Sequence, residues 1–527
     1  MQNPLYTLFL ILISFTTSYA QDQSIIWQNT IGGSDSDNLW SISETFDGGY
    51  IIGGWSGSNI SDDKSENSLG GPDYWVVKLD ALGYIQWENT IGGSSSDYLY
   101  IVSQTFDGGY ILGGTSYSNI SGDKTEDSNG SSDYWILKLD EFGVIQWQNT
   151  IGGEEYDQLW DITQTSDGGY IIGGYSISDI SGDKTENSNG GIDYWIVKLN
   201  ASGNIQWQNT IGGNDSDIFK SLAETTDGGY IIGGTSKSNI SGDKSENSIG
   251  EDDYWIIKLD PLGIIEWENT IGGFNSDNLW SISQTSDGGY ILGGESDSDI
   301  SGDKTENSNG FDDYWVVKLY PSGAIEWQNT IGGNLIDRLF SISETSDGGF
   351  SLGGFSASGI SGDKTENNNG SLDYWYLKID AFGNIEWQNT IGGNGSDILT
   401  STSQINDGGY ILGGYSRSNA SGDKTEDSIG NWDYWVLKIS FTLGVPDNIL
   451  AIPFDILPNP AKNDLLIDTK GQIIEELYIY SSNGNLVIQI TEVGISPTID
   501  VLQLSSGLYF IRFVVQGKTI TKKFVKY

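Results

Sequence analysis

Cysteine and histidine are both absent from the 527 residues. Their absence removes disulfides, thiolate nucleophiles, imidazole bases and the ordinary Cys/His zinc sites. Carboxylate, Tyr, Lys and main chain remain for chemistry. Basic residues are scarce: 25 Lys plus Arg stand against 72 Asp plus Glu, a formal charge of −47. Phosphate binding draws on clustered Lys and Arg, so nucleic acid and anionic membrane surfaces are poor partners, and cations or neutral polar ligands suit the chain better. No apolar run reaches the roughly 20 residues of a spanning helix. The run Leu5 to Ile13, followed by Ser18-Tyr19-Ala20, instead predicts a secretory signal peptide over 1–20 and a mature start at Gln21, although its leading residues carry no Lys or Arg. Proline is rare at 9 residues while glycine reaches 72, a composition of many short strands and turns.

What is present is a repeat. Trp27, Trp87, Trp147, Trp207, Trp267, Trp327 and Trp387 each begin W-[QE]-N-T-I-G-G, 60 residues apart every time. Four short β-type segments recur per period, exemplified by Leu39 to Thr45, Tyr50 to Gly54, Tyr74 to Asp80 and Ile85 to Thr90. Asp47-Gly48-Gly49 and Asp80-Ala81-Leu82-Gly83 are tight-turn signals, and Pro261 and Pro321 stand at the second residue of the latter turn, where a fixed φ belongs. Each period therefore reads as a four-stranded antiparallel sheet. The first copy begins with an isolated strand, Ile25 to Thr30, and the last copy, ending at Ile439, lacks that strand. Joining them leaves no free edge. The prediction is all-β: a seven-bladed β-propeller over 21–444, closed by exchange of the N-terminal strand, with an open solenoid as the alternative.

The stretch Asp73 to Ser116 resembles the bacterial extracellular β-propeller repeats of the SBBP type, which are defined by a fold period and carry no common catalytic motif. Its D-x-x-G-x-I-x-W piece is also similar to quinoprotein dehydrogenase propellers. That likeness would imply a cofactor pocket with calcium ligands and often a vicinal Cys pair, which this chain lacks. After a linker, 445–452, composition changes: residues 445–527 hold 7 Lys plus Arg against 8 Asp plus Glu. Alternating apolar segments there predict a small Ig-like β-sandwich over 453–527. Leu457-Pro458-Asn459-Pro460, Leu477 to Val487 with Gly484, Leu504 to Phe513 with Gly507 and Tyr509, and Lys522-Lys523 resemble, in order and spacing, the type A C-terminal sorting domain of the Bacteroidetes type IX secretion system. The resemblance implies Sec export, passage across the outer membrane by the type IX machinery, and release or attachment at the cell surface.

Function should reside on the face that collects the Gly32 to Asp37 segment and the 18-residue connection from 55 to 72. In the second copy Asp123, Glu126, Asp127 and Asp133 supply the oxygens that calcium prefers, although their spacing is not that of an EF-hand, so Ca2+ stands beside the alternative of solvated loops ordered by Asx turns and local hydrogen bonds. Fourteen of the 19 Trp recur at fixed positions and read as blade-to-blade core. Aromatics where the copies differ, Trp40, Tyr100, Trp160, Trp280 and Phe340 with Trp55, Tyr175, Phe355 and Tyr415, are candidate ligand-binding residues, since a sugar ring packs on an aromatic plane while its hydroxyls take polar partners. Channel filling is the competing role. Lys78 and its counterparts read as snorkelling side chains paired with acids. No catalytic residue is assigned, because Lys220, Lys237, Arg338 and Arg417, the residues that break the repeat, are scattered over different copies. The expected activity is binding or adhesion to polysaccharide, protein or divalent cation. The alternative is a carbohydrate-active hydrolase or lyase using Asp or Glu on the same face.

Overall fold

The computed structural model describes residues 22–442, 455–457, 460–469, 473–481, 486–495, 497–515 and 518–527. The expected signal peptide, the linker 445–452, Pro458, Asn459 and Gly484 lie outside them. Among the described residues all elements are strands, and the chain divides into two compact units, Gln23–Ser440 and one containing Phe441–Tyr527.

In the first unit each period folds as one four-stranded antiparallel sheet. The first comprises Asp37–Glu44, Tyr50–Ser56, Asp73–Leu79 and Ile85–Ile91, from innermost to outermost. Asp22–Ile31 pairs beside Asp433–Thr442 and so supplies the outermost strand of the seventh sheet. The molecule is a closed seven-bladed propeller. Its third strand is buried throughout in the first copy, DYWVVKL, because both faces of a blade meet a neighbour, and its central residues Tyr74 to Val77 are accordingly aromatic or aliphatic.

The same contact is made at every junction. The Tyr74 ring packs 4.9 Å from Trp135 of the next blade, and its hydroxyl donates to the Trp135 carbonyl at 3.0 Å. Tyr434 makes the identical bond to the Trp75 carbonyl at 3.0 Å, which closes the ring. Nearer the axis the blades converge, and the Gly-Gly of the second strand makes room: a Cβ on Gly53 would come within 2.8 Å of Leu99 of the next blade. Around the channel, residue 41 of one blade reaches the main chain of the next. The Val102 N–H donates to Ser41 Oγ at 3.1 Å and the Leu222 N–H to Asp161 at 2.9 Å.

The turns follow the sequence. Gly48 and Gly83 take φ of 78° and 88°, which Gly adopts without steric cost. The long connection keeps its acids Glu126 and Asp127 exposed and is ordered by local hydrogen bonds, while a buried lysine anchors it from beneath. Lys124, 1% exposed, donates to Thr150 Oγ1 at 2.7 Å and lies 5.4 Å above the Trp135 ring. Its charge acts on the fully buried Asp97 and Asp133, and Asp133 in turn acts on Asp157 of the next blade. A belt of buried Asp and Lys thus runs around the propeller. Burial pushes these carboxyls up, Asp133 to about 6 and Asp73 to about 7, and holds Lys124 down to about 8.

The second unit contains two sheets. One orders Asp455–Leu457, Asp464–Asp468 and Thr498–Asp500, and the other Leu486–Ile495, Ile473–Ser481, Gly507–Val515 and Lys518–Lys526. Leu465, Ile467, Leu477, Ile479, Ile511, Phe513 and Phe524 form its core. Among the described residues no helix is long and apolar enough to cross a membrane.

Candidate functional site

Every innermost strand carries a β-bulge at one position. In the first blade Leu39 pairs with Gly54 and Ser41 with Gly53, leaving Trp40 unopposed, and the register shifts likewise at Tyr100, Trp160, Lys220, Trp280, Phe340 and Thr400. A bulge re-aims the extra side chain. All seven line one cavity of about 160 Å³ in the channel.

The rings in that cavity pack on one another. Tyr100 stacks on Trp160 at 4.6 Å, Trp40 stands edge-on to both at 5.8 and 6.1 Å, and Phe340 meets Trp280 at 4.9 Å. Of the other sequence-selected aromatics, Phe355 packs on Phe340 at 5.8 Å and Tyr415 lies 6.4 Å from Trp40. Tyr175 donates to Gln158, whose amide donates to the Tyr100 hydroxyl at 2.9 Å. Trp55 instead packs on Tyr98 at 5.5 Å. Eight of the nine candidates therefore form one network around the channel mouth, held in good part by mutual packing.

Three odd charged residues, Lys220, Glu295 and Arg338, also meet here, although they come from three different copies. Lys220 extends between two indoles, its Nζ 3.6 Å from the centre of the Trp160 ring and 4.0 Å from that of Trp280. Glu295, 4% exposed, lies beside the Trp280 indole N–H, and Arg338 reaches it at 3.8 Å while making a 2.7 Å ion pair with Asp312. Burial pushes the Glu295 carboxyl up to about 8, against the pull of Arg338, and holds the Lys220 amine down to about 7. Of the four residues read as scattered, Lys220 and Arg338 are brought to one sector with Glu295, whereas Lys237 pairs with Asp252 and Arg417 with Ser396 and the Trp432 ring elsewhere. A column-by-column reading would have found them: Lys220 is the single charged residue at its repeat position, and so is Glu295.

The four proposed calcium ligands are not brought together. Asp123 accepts from the Gly92 N–H at 3.2 Å, Glu126 from Thr150 at 2.7 Å, Asp127 from Ile120 at 2.9 Å and Asp133 from Asn129 at 2.5 Å. Each carboxylate is turned to a different main-chain donor, and among the described residues no group of three or more acids converges as a metal site would require. This donor set does not fit calcium.

In the second unit Tyr509 is 7% exposed and its hydroxyl donates to the Ser505 carbonyl at 2.9 Å, so it serves the core. Gly507 opens the strand that follows, and Pro460, Lys522 and Lys523 are exposed.

A closed seven-bladed propeller followed by a small two-sheet domain defines the class of protein. Residues 455–527 match the family described as secretion system C-terminal sorting domain. The chain is thus a β-propeller protein exported by type IX secretion to the cell surface or beyond it, and its C-terminal domain is what that machinery handles. The regulatory protein FlaEY of Caulobacter vibrioides is 21% identical over 393 residues, 72% of this chain, which spans only 36% of that protein. Among solved structures, the Neurospora crassa Pan2 WD40 domain is similar over 80% of this chain and 96% of its own, with 10% identity and a TM-score of 0.41. A puromycin hydrolase covers 74% of this chain and 60% of its own at 10% identity and a TM-score of 0.36. Synechocystis apocarotenoid oxygenase covers 81% and 97% at 11% and 0.36. Scores this low convey no activity or ligand.

Proposed function

We propose that this exported propeller is a binding protein that holds its ligand at the loop-face mouth of the channel, over the fourth to sixth blades. The observation that carries this reading is where the sevenfold symmetry fails. The junctions that hold the ring together repeat the same Tyr-to-carbonyl bond from blade to blade, whereas Lys220, Glu295, Asp312 and Arg338 are gathered on one sector. Stability needs only the repeat, and a single recognition event needs an asymmetric site. Aromatic rings at Trp280, Phe340 and Phe355 on the fifth and sixth blades, with buried hydrogen-bonding groups beside them, suit a neutral hydroxylated group such as a terminal sugar of a polysaccharide. The high negative charge of the chain disfavours an acidic polymer.

The test is calorimetric titration of the full chain with a panel of neutral oligosaccharides, repeated with Arg338→Ala and Trp280→Ala. Loss of a buried polar or aromatic anchor should weaken binding about tenfold or more, with the melting curve within a few degrees of the parent. Binding unchanged in both variants would place the ligand elsewhere. Release of reducing sugar or an unsaturated product from the same panel would favour the hydrolase or lyase reading instead.

A further inference from the structure

We propose that a monovalent metal cation is held at six of the seven blade junctions, between the two buried aspartates that meet there. The inference concerns the belt of buried Asp and Lys and is independent of the channel-mouth reading. Its basis is a set of oxygens with no donor. The third strands carry Asp73, Asp133, Asp193, Asp253, Asp313 and Asp373, all 0% exposed, and in each of them Oδ1 is buried without a hydrogen bond. The other oxygen is satisfied, as in Asp73, whose Oδ2 accepts from the Leu69 N–H at 2.5 Å. Between the last blade and the first, the Gly430 N–H reaches Asp433 Oδ1 at 3.1 Å, so the seventh pair needs no ion. A buried carboxylate oxygen without a donor is rare in folded proteins and calls for an explanation, of which a bound ion is one.

A second carboxylate stands beside each of these oxygens. The Asp97 N–H donates to the Pro72 carbonyl at 2.7 Å, which seats Asp97 of the second blade next to Asp73 of the first, and the same bond recurs at every junction with lengths of 2.6 to 2.9 Å. Asp97 is likewise 0% exposed and leaves its own Oδ1 without a hydrogen bond, while Ser116, its partner in the sheet register, adds a hydroxyl. Glycine keeps the place clear of side chains: a Cβ on Gly92 would come within 2.1 Å of Asp73 Oδ1, and across the six junctions the same approach is 1.7 to 2.2 Å.

Charge selects the ion. Each blade buries two of these aspartates and one lysine, Asp97, Asp133 and Lys124 in the second, and so carries one negative charge in excess. The lysines bond to hydroxyls and carbonyls, as Lys124 does to Thr150 and Lys184 to the Ser178 carbonyl, and among the described residues none makes a direct ion pair with a belt carboxylate. Buried charge is tolerated where it is paired or coordinates a metal. One monovalent ion cancels the excess, whereas a divalent ion would reverse it, and two carboxylates with a lysine charge nearby are too few for calcium. Carboxylate and hydroxyl oxygens are hard donors, which suits an alkali ion.

The experiment is a thermal melt of the full chain in sodium, potassium or tetramethylammonium chloride at about 150 mM and one pH near 7.5, equal in ionic strength so that screening is the same in all three. A ligand that binds only the folded state stabilises it, so sodium or potassium should raise the melting temperature by about five degrees or more over tetramethylammonium. Equal melts in the three salts would overturn the proposal and leave the oxygens to water or to a proton shared within each pair. Asp133→Asn then locates the ions, because it removes one charge from one junction with little change of shape. It should lower the melting temperature by about two degrees in the alkali salt and leave it unchanged or raised in tetramethylammonium, where the charge it removes is uncompensated. An equal shift in both salts would also overturn the proposal, since the ions would then bind elsewhere.

Discussion

At the scale of single residues, the propeller depends on groups that look misplaced in isolation. Lys124 is buried beneath an acidic loop because two fully buried carboxylates, Asp97 and Asp133, need a positive charge nearby. Lys124→Met should therefore destabilise the fold by about 3 kcal/mol at pH 7, where the amine, held down to about 8, is still mostly charged, since removing one member of a buried charge cluster leaves the others uncompensated. The penalty should shrink at pH 5, where Asp133, raised to about 6, is protonated. For these acids the folded pKa lies above the unfolded value, so between about 4 and 7 the native state holds more protons and stability falls as pH rises. The turn acids act in the opposite sense. Asp167, held near 2 by its hydrogen bonds and Lys198, contributes stability above pH 4 that is lost as pH falls toward 2. Urea melts of parent and variant at pH 5 and pH 7 check the first sign and melts of the parent at pH 4 and pH 2 the second, and an equal variant penalty at pH 5 and pH 7 would contradict the account. The buried pairing of Lys124 could not be read from S-G-D-K-T-E, because a loop lysine in an acidic run is ordinarily a solvated one.

At the scale of elements, the strand Asp22–Ile31 has the largest consequence for its length, because it completes the seventh sheet and covers an edge that would otherwise be open. Truncation before residue 32 should leave Asp433–Thr442 as a bare edge. The expected outcome is a melt lowered by several degrees together with concentration-dependent association, measured by light scattering across a dilution series. A truncated chain that stayed monomeric with an unchanged melt would mean that the exchanged strand does not hold the ring. This element was legible in the sequence, since an isolated strand at one end and a missing one at the other are complementary. The bulge in each innermost strand was not. L-W-S-I-S-E reads as plain alternation, and only the register against Gly53 and Gly54 shows that Trp40 stands unopposed and is directed into the channel.

For the whole molecule, charge of one sign is the dominant fact. A net charge of −47 repels itself, and raising salt from about 10 to about 150 mM shortens the screening length from about 30 to about 8 Å. The melting temperature should rise by several degrees over that range, and calcium and magnesium at equal ionic strength should act alike, because the loop carboxylates already hold main-chain donors. A calcium-specific rise in differential scanning calorimetry would reverse that view. The sequence by itself determined the sheet, its period and the closure of the ring, because these follow from local hydrophobic pattern, turn chemistry and a repeat without drift. It also carried the sorting domain, whose motifs lie close together along the chain. Only the tertiary structure decided which odd residues share a site. Lys220, Glu295 and Arg338 are distant in sequence, and it is rotation about the propeller axis, one blade per copy, that places them around one channel mouth.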